Sequence, residues 1–432
     1  MQVTQISRLG RSGTESYQLF LARWFALLTL ALVPISTAGV NVGSAAFALF
    51  ALTSPEVWRR ARSSLTGSSG ATAALALFIV LSLSLAYSAA GYAEGFDFLM
   101  KYRKLLFIPL LVLVFADDAG RIWARRAVWS LFATLVLSMV LAYTNNFGWT
   151  AFGPMHAEDP VRRPWVFKDH ISGGLMMAFL VCLSFALAKA ASGWRSKALY
   201  LVALLALINV LFVLQGRTGQ VVAIAYVAIY LVVQAARFRR YDKRSRVLAS
   251  VGVAAVCVCI AAFVLYAKDR RLADTAQEVS QFETQNKNTS MGVRILFYRR
   301  SLELMAHRPI AGYGVGSVRT EFERLASTQT GGHAAMAGNP HNEFFLMGVQ
   351  LGLIGVALFV WFLIAIGREC RRLAEPAKLI ASGYLFAFVL GCLANSLLLN
   401  FTEGNLFVFL IGILIGTAPG RGRDPQAAQA RN

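Results

Sequence analysis

The sequence predicts an all-α integral membrane protein with about 12 transmembrane helices and one large exterior loop. Hydrophobic residues make up 57% of the 432 residues, and only 15% are charged, against about 25% in typical soluble domains. Apolar runs recur from Leu19 to Ile415, and the longest polar stretch extends only from Lys268 to Pro340. A soluble domain of ordinary size is therefore excluded, and helices are expected because buried backbone groups must be paired in lipid.

The helices are predicted from the apolar runs, since about 20 apolar residues cross the hydrocarbon core. Gly39, Asn41 and Gly43 indicate a tight hairpin between the first two segments, although one merged or re-entrant segment is also possible. The first run could be a signal peptide, but the apolar run that continues past it favours a retained anchor. The twelve predicted segments are 19–35, 38–53, 71–89, 103–116, 127–145, 171–188, 198–214, 221–236, 247–267, 343–367, 378–396 and 404–418.

The orientation is predicted from the basic residues, because Lys and Arg concentrate in cytoplasmic loops. With twelve helices, every dense basic cluster falls on one side, from Arg59 and Arg60 to Arg421 and Arg423, and both termini are then cytoplasmic. The predicted organisation is transmembrane helices 1–9 in residues 1–267, an exterior loop domain in 268–342, helices 10–12 in 343–418 and a cytoplasmic tail in 419–432. This distribution explains most of the net charge of +20 without nucleic acid as a partner.

Several basic residues nevertheless fall in predicted exterior loops. Arg103 and Lys104 are interpreted as side chains that reach lipid headgroups at the membrane surface. Arg217 differs, because it stands in the short turn 215–220 between Gly216 and Gly219, where small neighbours admit a bulky anion. Guanidinium groups form paired, charge-assisted hydrogen bonds with phosphate. Arg217 and Arg294 are therefore candidate ligands of a lipid pyrophosphate, with Arg163, Lys168 and Arg299 as possible further contacts.

His341 is the candidate general base. It directly precedes a long apolar helix, which places it at the water–lipid boundary, and a helix N-terminus disfavours imidazolium. The alternative, a metal site, is not supported by a sequence motif, because the exterior acids are scattered; no metal and no cofactor are expected. Glu403, in the last exterior turn, could orient a base or an arginine. The run Gly312-Tyr313-Gly314-Val315-Gly316 is interpreted as a turn, although glycine runs can also cradle phosphate.

These motifs resemble the O-antigen ligase family, which shares features with O-antigen polymerases and protein O-oligosaccharyltransferases. The pattern is His341-Asn342, nine residues, then Gly352 and Gly355. The segment from Arg294 to Gly316 and the turn at Arg217 resemble further parts of the family pattern. The resemblance implies a GT-C-like membrane glycosyltransferase of the bacterial inner membrane, with the large loop and the active site in the periplasm.

The resemblance further implies the substrates. Such an enzyme would transfer O-antigen polysaccharide from undecaprenyl pyrophosphate to a lipid A–core sugar, without metal and with inversion, in lipopolysaccharide biosynthesis. Its partners would be these two lipids and the surrounding membrane lipids. An O-antigen polymerase or O-oligosaccharyltransferase remains an alternative with another acceptor. A lipid or polysaccharide transporter is an alternative of another class, but the charges cluster at one surface and no internal repeat is evident.

Overall fold

A computed structural model describes residues 16–155, 159–237, 243–270, 290–328 and 338–419. Within these residues the regular secondary structure is entirely helical, without strands. The helices of the first half are α1 (Tyr17–Leu32), α2 (Thr37–Thr53), α3 (Pro55–Thr66), α4 (Ser69–Leu83), α5 (Tyr92–Met100), α6 (Phe107–Val114), α7 (Asp118–Asn146) and α8 (His170–Ala190). Those of the second half are α9 (Gly193–Ile208), α10 (Arg217–Arg237), α11 (Lys243–Arg270), α12 (Ser290–His307), α13 (Val318–Thr328), α14 (Glu343–Cys370), α15 (Ala377–Cys392) and α16 (Phe401–Gly416).

The described helices are consistent with a membrane protein. Five spans are long and apolar enough to cross a bilayer, and the bent pair α2–α3 would make a sixth. Five further apolar helices are shorter, at 10–17 residues. The prediction of twelve spans, like that of the side each loop faces, stays a prediction. The 271–289 and 329–337 parts of the predicted exterior loop, and residues 420–432 of the predicted tail, lie outside the described residues.

Helix α16 forms the centre of the bundle. Every residue from Glu403 to Gly416 is buried, which is the pattern of a helix surrounded by other helices. Helix α6 packs along α16, α14 packs against α4, and α8 packs against both α9 and α10. The α16 glycines allow this close approach, since a Cβ at Gly412 would lie 2.7 Å from the side chain of Leu111.

Three predicted segments differ from the observed helices. The predicted span 103–116 is divided into a 3-10 turn at Arg103–Leu106 and the short helix α6. The predicted span 198–214 ends in a π-helical turn at Asn209–Val213, where Leu214 N–H donates to the Asn209 carbonyl. Helix α14 is broken at Gly352, whose φ of 62° is left-handed. Hydrophobicity predicts that a segment is helical, but these breaks depend on tertiary packing.

The glycine run 312–316 is a turn, as interpreted from the sequence, and it supports the break in α14. Tyr313 N–H and Gly314 N–H donate to the carbonyls of Val349 and Gln350, and Gly316 N–H donates to the Gln350 side chain. In return, the Pro309 carbonyl accepts from Leu353 N–H at 2.7 Å. These N–H groups already have protein partners, so the phosphate-cradle interpretation of the glycine run is wrong.

The Lys104 side chain is buried, which corrects the prediction made from the sequence. It is only 5% exposed, and its ammonium donates to the carbonyls of Leu398, Leu399 and Asn400 at 2.9, 3.2 and 2.7 Å. The interpretation of Lys104 as a side chain that reaches lipid headgroups is therefore wrong. Arg103, its neighbour, is exposed and bonds only weakly to the Met100 carbonyl. Sequence could not distinguish the two because they are adjacent and equally basic.

Candidate active site

Four separate segments meet at one end of the bundle. They are the start of α8 at His170, the turn 215–220 (the Arg217 turn), the N-terminal half of α12 with Arg294, and residues 338–342 (the His341 loop). The charge of Arg294 acts on the imidazoles of both His341 and His170, and the charge of Arg217 also acts on His170. Arg217 and Arg294 are therefore both within electrostatic reach of His170, and Arg294 is also within reach of the predicted base His341, although 124 residues separate positions 217 and 341 (341 − 217).

His341 is held in an unusual backbone conformation. Its φ is 53°, which a non-glycine residue adopts only when the surroundings impose it, at a cost of about 1–3 kcal/mol. Its N–H donates to the Asn339 Oδ1 at 2.9 Å, and its carbonyl accepts from the Tyr298 hydroxyl at 3.3 Å. The ring packs against Phe297, with centroids 6.2 Å apart and an interplanar angle of 19°. The imidazole is thereby fixed in place before any substrate binds.

Two effects lower the pKa of His341 below its ordinary value. Partial burial is the larger, and the positive charge of Arg294 adds to it. Helix α14 begins at Glu343 with Asn342 as its N-cap, so His341 lies one residue before the cap. The result is a neutral imidazole at physiological pH, as the sequence predicts, but its physical causes are burial and the charge of Arg294. Such a group can accept a proton.

The Arg217 turn is fitted closely to the start of α8. A Cβ at Gly216 would overlap the carbonyl oxygen of His170, and one at Gly219 would overlap the backbone of Gly174. The preceding residue, Gln215, has a left-handed φ of 56°. Arg217 itself is exposed at the first position of α10. The flanking glycines therefore serve backbone packing against α8, whereas the sequence argument assigned them to admission of a ligand.

The lesser candidates divide into two groups. The Arg163 guanidinium lies 5.9 Å from the centre of the Trp165 ring, and that ring stacks on His170 at 4.7 Å. Lys168 precedes α8 by two residues and donates to the Thr37 hydroxyl at 3.1 Å. Burial lowers the pKa of Lys168, while Glu403 and Asp169 oppose that effect. Arg163 and Lys168 thus lie beside the His170 end of the site.

Arg299 lies differently. It is exposed, and at 3.6 residues per turn it points about 140° away from Arg294 around α12. Tyr298, four residues after Arg294, is on the face that contacts the His341 loop. A donor contact at Arg299 stays a prediction, but Arg299 does not share the helix face of Arg294.

Sequence reasoning missed His170 and Glu343. His170 follows the N-cap Asp169 of α8, and its Nδ1 is buried with no hydrogen-bond partner in the described part of the chain. Glu343 is fully buried, and its carboxylate accepts from Leu398 N–H at 2.8 Å. Glu403, considered for orientation of a base, accepts instead from the Ser172 hydroxyl at 2.6 Å. In the sequence, His170 could have been recognised from the Asp169-His170 pair before the start of a predicted helix. Glu343 has no such local signature apart from its position at the start of α14.

The described residues contain no group of three His, Cys, Asp or Glu side chains placed to share a metal ion. The described cysteines Cys182, Cys257, Cys370 and Cys392 are free thiols, whereas the side chain of Cys259 lies outside the described part.

Comparison with known families gives one match. Residues 201–360 match the family model of O-antigen ligases. The matched segment contains the Arg217 turn, α12 with Arg294 and Tyr298, the His341 loop and the break at Gly352. His170, Lys168 and residues beyond 360 lie outside it. No curated protein matches the chain.

Proposed function

We propose that this protein is an O-antigen ligase of the bacterial inner membrane, a proposal supported by the match of residues 201–360 to the family model of O-antigen ligases. It transfers O-antigen polysaccharide from undecaprenyl pyrophosphate to a sugar of lipid A–core on the periplasmic face. The observation that carries this proposal is the convergence at one end of the bundle of Arg217 and Arg294 with the neutral imidazole of His341. That combination suits a reaction in which a pyrophosphate leaves and a hydroxyl attacks.

The chemistry follows from the charges of the two groups. The acceptor hydroxyl oxygen forms a bond to the anomeric carbon of the donor sugar, and the bond from that carbon to the phosphate oxygen breaks. The pyrophosphate leaves with the electron pair, and Arg217 and Arg294 stabilise its charge. His341 takes the proton of the attacking hydroxyl. A single displacement of this kind inverts the anomeric centre.

The test is transfer by the purified full-length chain in detergent, with a prenyl-pyrophosphate-linked glycan as donor and lipid A–core as acceptor. Wild-type protein should form glycosylated lipid A–core, and His341→Ala should reduce kcat by roughly 100- to 10,000-fold, as expected for loss of a general base. His307→Ala is the matched control: His307 is exposed on α12, and among the described residues its ring hydrogen-bonds to the Glu303 carbonyl of its own helix.

The same assay with different acceptors distinguishes a ligase from a polymerase, an oligosaccharyltransferase and a transporter. Elongation of a second donor molecule without use of lipid A–core would identify a polymerase, and transfer to a protein would identify an oligosaccharyltransferase. A transporter would form no product in detergent, where there is no second compartment. Full activity of normally expressed His341→Ala protein would remove the proposed base.

A further inference from the structure

A short turn outside the family match connects the segments of the site. Residues 393–400 (the 393–400 turn) join α15 to α16, and they begin 33 residues after the matched segment ends at 360 (393 − 360). The turn contains two adjacent polar residues, Asn395 and Ser396. Both are buried, with 3% and 0% of their surface exposed. Buried polar side chains need hydrogen-bond partners, and here the partners lie on two different segments of the active site.

Asn395 is bonded to the Arg217 turn. Its Nδ2 donates to the Thr218 Oγ1 at 2.8 Å, and Thr218 directly follows Arg217 in the first turn of α10. On its other side, the turn packs against the His170 carbonyl through Gly216. The backbone that carries Arg217 is therefore held between α8 and the 393–400 turn.

Ser396 is bonded to the His341 loop. Its hydroxyl donates to the Asn339 Oδ1 at 2.6 Å, and the same oxygen accepts the N–H of His341 at 2.9 Å. This shared acceptor stabilises the left-handed conformation of His341. The Leu393 carbonyl adds a second link, because it accepts from the Asn342 Nδ2 at 2.9 Å and from the Tyr298 hydroxyl at 3.1 Å.

The 393–400 turn is itself firmly fixed. Lys104 donates to three consecutive carbonyls of the turn, from Leu398 to Asn400. The Glu343 carboxylate accepts from the N–H groups of Leu398 and Leu399 at 2.8 and 3.3 Å. Such a connected and satisfied polar network is rigid, so it can hold the side chains bonded to it at fixed separations.

We propose that Asn395 and Ser396 are positioning residues that hold the Arg217 turn and the His341 loop in register with each other. These two adjacent side chains, on one rigid turn, form hydrogen bonds to the Arg217 turn and to the His341 loop. This inference rests on the proposed function for its kinetic consequences. It extends the active site beyond the matched family segment, to residues that contact neither substrate.

The two residues predict different kinetic defects in the full-length chain. Thr218→Val and Asn395→Ala should each raise the KM for the prenyl-pyrophosphate donor roughly 10-fold, because the Arg217 turn loses its hydrogen bond to the 393–400 turn. Thr218→Ser keeps the hydroxyl and should retain the wild-type KM. Ser396→Ala should lower kcat roughly 10- to 100-fold, the cost of misplacing a reacting group by about 1 Å. It should also move the acid limb of the kcat profile to higher pH, because a loosened His341 is more solvated and regains its ordinary proton affinity.

The matched controls are Thr134→Val and Ser130→Ala, whose hydroxyls, within the described residues, bond to carbonyls of their own helix α7 at 3.0 and 2.9 Å. These variants should leave KM, kcat and the pH profile unchanged.

Hydrogen–deuterium exchange of substrate-free protein gives a readout independent of catalysis. Faster exchange should appear in 216–220 for Asn395→Ala and in 338–343 for Ser396→Ala. Unchanged exchange in these segments, with KM, kcat and pH profile as in wild type, would overturn the inference even if glycan transfer is confirmed. If wild-type protein transfers no glycan, the proposed function fails alone, and the exchange measurement still decides whether the turn holds the two segments.

Discussion

Gly216→Ala tests how closely catalysis depends on the placement of Arg217. The added Cβ would overlap the carbonyl oxygen of His170 and would lie 3.1 Å from its carbonyl carbon and 3.6 Å from the Cα of Gly174. All three atoms belong to the backbone at the start of α8, which cannot rotate away as a side chain could. The Arg217 turn must therefore move outward by about 1 Å to restore ordinary contact.

The expected effect follows from that displacement. In the proposed reaction Arg217 stabilises the leaving pyrophosphate, so a shift of about 1 Å should lower kcat/KM roughly 100-fold. The same crowding should destabilise the fold by only about 1–3 kcal/mol, which leaves the protein folded. The assay is steady-state glycan transfer with the purified variant, together with thermal unfolding in detergent.

Gly367→Ala is the matched control for Gly216→Ala. Gly367 lies within helix α14, and its Cβ would meet only the mobile Leu385 side chain, at 3.4 Å. Activity of Gly216→Ala within threefold of wild type, in protein that unfolds at the same temperature, would refute the claim that backbone contact with His170 sets the position of Arg217.

The remaining predictions concern charge. Because burial and the charge of Arg294 lower the pKa of His341, wild-type kcat should be retained below pH ~6.5 and fall only as the pH drops through the lowered pKa. Arg294→Gln should move this acid limb of the kcat profile to higher pH at saturating donor. An unmoved limb would exclude Arg294 as a cause of the lowered pKa. Arg217→Lys keeps the charge but loses the planar fork, so the donor KM should rise about 10-fold or more, measured against the unchanged KM of the acceptor. Lys104→Met leaves Glu343 and three carbonyls without their cation, so it should lower the free energy of unfolding in denaturant by about 3–5 kcal/mol. The loss of unfolding free energy should be smaller when Glu343→Gln is added. A loss below about 1 kcal/mol for Lys104→Met would contradict the stabilising role of the buried ammonium.

Much of the fold could be predicted because it depends on local pattern. Apolar runs near 20 residues predict helices, and the described elements follow those runs within a few residues at most ends. The resemblance to O-antigen ligases is confirmed over residues 201–360. The breaks at Arg103–Leu106, Asn209–Val213 and Gly352 were not predicted, because each depends on what packs beside the helix.

The candidate site shows the same division. Arg217, Arg294 and His341 were identified from residue type, flanking glycines and position at helix starts, all of which are visible along the chain. His170, Asn395 and Ser396 were not, since a histidine, an asparagine or a serine in a short connection is common and has no local signature. Lys104 was misinterpreted for a related reason: its sequence neighbourhood is basic and interfacial, yet its ammonium is buried against carbonyls of residues 398–400.

By itself, the sequence predicted a helical membrane protein that resembles O-antigen ligases and carries basic residues and a histidine in its predicted exterior loops, because hydrophobic length and residue chemistry are local properties. Only the tertiary structure decided that the charge of Arg294 acts on both His341 and His170, and that the 393–400 turn bonds to the segments of Arg217 and His341. The physical reason is that hydrogen bonds and charges act over a few ångströms, and helix packing alone brings residues more than a hundred positions apart to that distance.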